Sequence, residues 1–398
     1  MESKVLAMDS LTVSNGNFTL DLFKTLTRLY PGKNLFFSSW SISSAMAMIY
    51  LGARSETATQ MAQVLHFNRA TESSSQKPDS KDEEVHLEFQ VQISEINQPN
   101  SSYLLKTANR LYGEKTYPFL REYIELTKKY YHAEAQEVNF FSAAERVRRE
   151  INLWVESQTD HKIKDLLPKD AVDSQTALVL VNAIYFKGKW ENRFQKEDTT
   201  KADFRLSKTT STSVQMMFLK GAFPFFHISI LKVEILELPY VNNDLSMLIL
   251  LPNDITDEST GLELLEKELT YERLSIWTSP EMMEKVNVEV HLPKIKLAES
   301  YNLKTTLSSM GMTNAFSQGQ ANFTGMSDRN DLYLSQVFHK SFVEVNEEGT
   351  EASSATAGVV TIRTSQQPVV FKADHPFLFL IRHNKTKSIL FFGKFCAP

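Results

Sequence analysis

Near the start of the chain Leu22, Phe23, Leu26, Leu29 and Tyr30 recur at helical spacing and predict an amphipathic helix. Ile42 to Leu51 is apolar or small on every side, the pattern of a helix with no wet face. A third helix is predicted from Ser142. Ser142 and Glu145 have capping-box spacing, Val147, Ile151, Trp154 and Val155 share one face, and Arg146, Arg148 and Arg149 take the other. The middle of the chain changes period. Leu178 to Phe186 is a continuous apolar run suited to a buried strand, and Leu245 to Leu251 is another, ended by Pro252. Val286, Val288, Val290 and Leu292 alternate with Asn287, Glu289 and His291, which predicts a strand with one wet face. Helical spacing returns at Leu303, Leu307 and Met310 before Gly311. Helices and strands follow one another without a βαβ rhythm, so the fold class is α+β rather than doubly wound.

One stretch obeys neither period. From Glu347 to Thr364 the sequence reads EEGTEASSATAGVVTIRT, a run of small neutral residues leading to one arginine. Phe342, Val343 and Val345 before it and Val369, Val370 and Phe371 after it are strand-like, so the run is anchored at both ends. A flexible linker has this composition, but linkers join domains, and only about thirty residues follow. Those residues are mostly apolar and too few for a domain, so they complete the core of what precedes them. The run is a long loop inside one fold, and loops of that length are usually functional or disordered.

These residues resemble the serpin family. Glu347-Glu348-Gly349-Thr350-Glu351-Ala352 is similar to the proximal hinge of a serpin reactive-centre loop, and Phe371 to Phe379 to the family's C-terminal signature. Blocks from Asn34 (NLFFSSWSISSAMAMIYLGARSETATQM), Leu180 (LVNAIYFKGKWE) and Phe338 (FHKSFVEVNEEGTEA) resemble serpin blocks in the family's order, so the likeness covers nearly the whole chain. Segments from Leu104 and Leu307, and the lack of a secretory leader, resemble the ovalbumin-type intracellular branch. The resemblance implies a serpin fold with three β-sheets, about nine helices and an exposed reactive-centre loop at 347–367. It implies a single domain over 1–398, with Met1 to Ala7 as an alternative-start extension before Met8.

The resemblance also assigns roles. The reactive bond is expected between Arg363 and Thr364, because Arg363 falls sixteen positions after Glu347, the family's spacing from hinge to cleaved bond. Arginine there suits a trypsin-like protease, whose specificity pocket ends in a carboxylate. Glu347, Gly349, Thr350, Glu351, Ala352, Ser353 and Ser354 form the hinge; Ser353 and Ser354 depart from the all-alanine hinge common among the family's inhibitors. If the loop becomes a strand, Thr350, Ala352, Ser354, Thr356 and Gly358 share a face, all small and uncharged. Ser38, Ser41, Asn182 and His339 match the shutter, where strands of the main sheet part, and Trp190 matches its upper opening. The helix after Ser142 is implied to lie across that sheet. The implied function is suicide-substrate inhibition of a trypsin-like serine protease through a covalent acyl complex, with the inhibitor a monomer. The alternative is a non-inhibitory serpin with a storage, chaperone-like or chromatin-associated role, whose hinge typically carries a bulky or charged residue at the position of Thr350.

Composition narrows the remaining choices. A content of 42% hydrophobic and 23% charged residues is ordinary for a folded domain, and a net charge of −5 offers no general affinity for nucleic acid. Asn68 to Glu84 (NRATESSSQKPDSKDEE) is polar and predicts a mobile surface loop. Cys396 is the only cysteine, so no disulfide forms within the chain, which favours a reducing compartment. No run approaches a signal-peptide core or a membrane span, so a cytoplasmic location, with the nucleus open to it, is expected. No catalytic residue, cofactor or metal site is expected. Ser74 and Lys77 match Ser-x-x-Lys, but without a helix to hold the pair, and the nine histidines show no metal spacing. Sequons begin at Asn17, Asn100, Asn322 and Asn384, and matter only for an exported chain.

Overall fold

The computed structural model describes residues 10–67, 78–99, 102–349, 361–363 and 365–398. In chain order the elements are α1 (Ser10–Leu29), β1 (Leu35–Phe37), α2 (Ser39–Tyr50), α3 (Ser55–Val64), α4 (Pro78–Ile96), β2 (Tyr103–Glu114), α5 (Arg121–Tyr131), β3 (Glu134–Val138), α6 (Phe140–Gln158) and β4 (Leu178–Gly188). There follow β5 (Thr200–Arg205), β6 (Ser211–Ile228), β7 (Val233–Pro239), β8 (Leu245–Pro252), α7 (Glu263–Glu268), α8 (Tyr271–Trp277), β9 (Glu284–Pro293) and β10 (Ile295–Asn302). The chain ends with α9 (Lys304–Ser309), β11 (Leu334–Val345), β12 (Val369–Lys372), β13 (Phe377–His383) and β14 (Ser388–Phe395).

The strands form two hydrogen-bonded networks. Five make a sheet in the order β10-β11-β4-β2-β3, and nine make the other, β1-β14-β13-β8-β7-β6-β9-β12 with β5 beside β6. The second contains two of the three expected sheets. β6 is 18 residues long: Phe225 to Ile228 pair with β7, while Met216 to Phe225 pair with β9, so one strand carries the chain from one sheet into the next.

In the five-stranded sheet β4 and β11 are adjacent and parallel, with His339 opposite Asn182. Side chains alternate across β4, as strand geometry requires. Leu178, Leu180, Ile184 and Phe186 enter the large central core, whereas Val179, Val181, Ala183 and Tyr185 face a smaller core under α6. That smaller core joins Phe140, Val147, Ile151 and Val155 of α6 to Ala108 and Tyr112 of β2 and to Phe338 and Phe342 of β11. The helix therefore lies across the strands expected to part.

α2 is buried along its whole length, as its all-round apolar pattern predicts. Leu22, Phe23 and Leu26 of α1 are buried, but Leu29 and Tyr30 are exposed where the helix runs out. Two local expectations need correction. Ser142 does not cap α6: Asn139 does, its side-chain oxygen accepting the Ser142 N–H at 3.1 Å, and Glu145 pairs with Arg148 and Arg149. The stretch 68–84 is not all loop, because α4 begins at Pro78; proline is well placed in a first helical turn, whose N–H groups have no intrahelical partner. Residues 68–77, with Ser74 and Lys77, lie outside the described residues.

Candidate functional site

β11 ends at Val345, and the chain turns back at once. The Asn346 N–H donates to the Gly349 carbonyl at 2.8 Å and the Gly349 N–H returns to Asn346 at 3.3 Å. Gly349 has φ +117° and lies against the end of β4, where a Cβ would collide with the Gly188 carbonyl oxygen. Only glycine fits that turn without strain.

Trp190, just past β4, fastens it. Its indole N–H donates to the Asn346 carbonyl at 3.0 Å and its backbone N–H to Glu348 at 3.1 Å. Its ring stacks on Tyr240 with centroids 4.5 Å apart and meets Phe194 edge-on. Glu347 is buried between Thr199, whose hydroxyl donates to it at 2.9 Å, and Lys294, whose ammonium is 3.1 Å away. Burial pushes the Glu347 carboxyl up, but hydrogen bonds from backbone, Thr199 and Lys294, with the lysine charge, hold it below the usual range.

Ser38, Ser41, Asn182 and His339 come together midway along the same pair of strands. The Ser38 N–H donates to His339 Nε2 at 3.0 Å, so that nitrogen accepts, and His339 Nδ1 donates to Asn182 Oδ1 at 2.7 Å. The Ser341 hydroxyl also donates to Nε2 at 2.7 Å. Asn182 Nδ2 donates to the Ser41 hydroxyl at 2.8 Å, and Ser38 caps α2 while its own hydroxyl donates to Leu390 of β14. The imidazole is fully enclosed, and burial pushes its pKa down to about 3. A neutral ring thus joins β11 to β4 and, through α2, to the static core.

Arg363 is exposed, as are its described neighbours Thr361 and Ile362. Thr350, Glu351, Ala352, Ser353, Ser354 and Thr364 lie outside the described residues. Among the described residues no group of three or more His, Cys, Asp and Glu could hold a metal ion, and no helix is long and apolar enough to cross a membrane. Cys396 is buried, which raises its thiol to about 11.

A tight turn set against the ends of two paired parallel strands, with Thr361, Ile362 and Arg363 exposed, is the arrangement the resemblance implies. The family model described as serpin (serine protease inhibitor) matches residues 13–398. The chain belongs to the serpin family. Serpin B10 (bomapin) of Homo sapiens is 53% identical over 401 residues, covering 98% of this chain and 100% of that protein. The leukocyte elastase inhibitor of Equus caballus is 49% identical over 391 residues, with the same coverage. The crystal structure of uncleaved ovalbumin matches with a TM-score of 0.87 at 39% identity, covering 98% of this chain and 100% of that one. These relatives bear out the ovalbumin-type branch, and the family is one of protease inhibitors rather than catalysts. Thr199 and Lys294, which hold the serpin hinge through Glu347, were not legible in the sequence: neither sits in a motif, and Thr199 is 148 positions from its partner.

Proposed function

We propose that this serpin is a suicide-substrate inhibitor of trypsin-like serine proteases, acylated at Arg363. The observation that carries this reading is the parallel pairing of β4 and β11 beneath a hinge that leaves β11 by a tight turn. An arm returning from that turn would enter between them antiparallel to both. It would replace one parallel interface with two antiparallel ones, the more stable arrangement per residue. The protease attacks the Arg363 carbonyl and forms an acyl-enzyme. Insertion then drags the protease with the arm, and its catalytic serine, histidine and oxyanion hole lose the alignment that deacylation needs. The native form before cleavage is held kinetically: the Gly349 turn, the Glu347 pairs and the His339–Asn182 bond must all break before the strands part.

The test is incubation with a panel of trypsin-like and elastase-like proteases, followed by denaturing electrophoresis. An SDS-resistant adduct with trypsin-like enzymes and a released peptide beginning at Thr364 are expected. The panel includes elastases because one relative is named a leukocyte elastase inhibitor; adducts with those enzymes alone, cut after Ile362, would replace the Arg363 assignment. We place the protein in the cytoplasm, with access to the nucleus, as a monomer. Cys396 is the only cysteine in the sequence, so the chain has no disulfide of its own, which suits a reducing compartment. Fractionation of expressing cells tests that placement.

A further inference from the structure

Asn287 is partly buried on β9, one residue before the stretch that pairs with β12, where Val288 lies opposite Val369. Its side chain makes two hydrogen bonds to one residue of the exposed arm. The Ile362 N–H donates to Asn287 Oδ1 at 2.8 Å, and Asn287 Nδ2 donates to the Ile362 carbonyl oxygen at 2.6 Å. One primary amide meets both groups only when they point the same way, as they do in extended backbone. In that geometry the neighbours Thr361 and Arg363 present their N–H and C=O groups to the opposite edge.

We propose that Asn287 is a positioning residue: a two-bond amide clamp that holds the Ile362 main chain and so presents the Arg363 carbonyl with its other strand edge free. The proposal rests on Arg363 being the attacked residue. A protease that binds substrate as an added strand pairs with one edge of it. Among the described residues nothing pairs with the edge bearing Thr361 and Arg363, and the clamp occupies the edge that protease pairing leaves unused. Docking therefore costs no exchange of clamp bonds, while the arm enters the encounter with part of its conformational freedom already spent. Asparagine suits this task because its amide supplies one donor and one acceptor side by side. Aspartate would set a carboxylate oxygen against the Ile362 carbonyl, and alanine would supply nothing.

Wild type, Asn287→Ala and Asn287→Asp are compared in three measurements. Hydrogen exchange resolved to the Ile362 amide needs no protease, and exchange about fivefold to tenfold faster is expected in both variants. Catalytic amounts of trypsin then give kcat/KM for cleavage after Arg363, expected to fall by about the same factor with the melting temperature unchanged. The rate of adduct formation should fall in parallel, at unaltered stoichiometry. Asn287→Asp matches asparagine in size and keeps the test open if the alanine variant folds poorly. Equal Ile362 exchange in all three proteins would overturn the clamp. Slower exchange in wild type with equal or faster attack on the variants would overturn its role in presentation. Wild type that is cut after Arg363 but never trapped would sink the inhibitory reading alone, since exchange and cleavage still report the clamp.

Discussion

Arg363 is exposed and contributes little to the fold, and on the proposed function its charge serves recognition. Arg363→Ala is therefore expected to reduce adduct formation with trypsin by at least 100-fold, on the order of 3 kcal/mol, while the melting temperature stays within about 1 °C. Stopped-time adduct assays and thermal melts check both halves. Glu347 behaves oppositely, as an anchor of the hinge. Its folded pKa lies below the ordinary value, so its contribution is complete above about pH 4.5 and is lost as pH falls through the depressed value. Glu347→Gln is expected to cost about 1 kcal/mol at pH 7, through loss of the Lys294 charge pair, and progressively less below pH 4.5. Melting curves of both proteins from pH 7 to pH 3 give the comparison; a gap that persists unchanged at pH 3 would contradict the assignment.

At the scale of elements, the junction of β4 with β11 is polar on its central-core side, where the proposed insertion would open it, and apolar under α6. His339, Asn182, Ser38 and Ser41 face the central core and α2, whereas Phe338 and Phe342 sit under α6. A buried hydrogen-bond network fixes one strand register yet can be exchanged for bonds to a newly inserted strand, which a purely apolar junction could not offer. The same network makes the sheet acid-sensitive. Burial lowers His339 to about 3, whereas an unfolded histidine titrates near 6.5, so the unfolded state binds the extra proton between those values. Stability from this residue is complete above about pH 6.5 and falls as pH drops, by up to about 1.4 kcal/mol per pH unit. His86, also lowered to about 3 by burial, acts in the same window. His339→Gln should flatten the dependence of melting temperature on pH between 6.5 and 5 without abolishing it, since His86 remains.

For the whole molecule, the proposed mechanism turns on the difference between the native form and a cleaved, inserted one. Cleavage frees the arm from its distal anchor at β12, and wild type is expected to gain at least 20 °C in melting temperature when cut after Arg363, an order-of-magnitude figure for a completed antiparallel sheet. Thr350 should face inward after insertion because side chains alternate along a strand, although it lies outside the described residues. Thr350→Arg would bury an unpaired charge at the first step, at a cost of several kcal/mol. That variant should be cut at the same bond, form no adduct and show no thermal gain. A covalent complex at wild-type stoichiometry would falsify the insertion mechanism.

Local patterns and short motifs were legible without coordinates, because backbone geometry imposes them residue by residue. The all-round apolar run became α2, the continuous run at Leu178 became β4, and the alternation from Val286 became β9. The hinge, the shutter residues and Arg363 were visible as motifs in the family's order, and Ser38, Ser41, Asn182 and His339 do meet in space. Element ends were less legible, as Asn139 and Pro78 illustrate, since a cap is one hydrogen bond among many polar candidates. The sequence alone determined the periodic elements and the compositional break at the loop, and through its motifs the family. Only the tertiary structure decided that Lys294 and Thr199 hold Glu347, that Gly349 turns against the end of β4, and that Asn287 grips Ile362 from 75 positions away. Those partners are ordinary polar residues with no period or spacing to mark them. What selects them is which strand ends the packed sheets bring within hydrogen-bond reach.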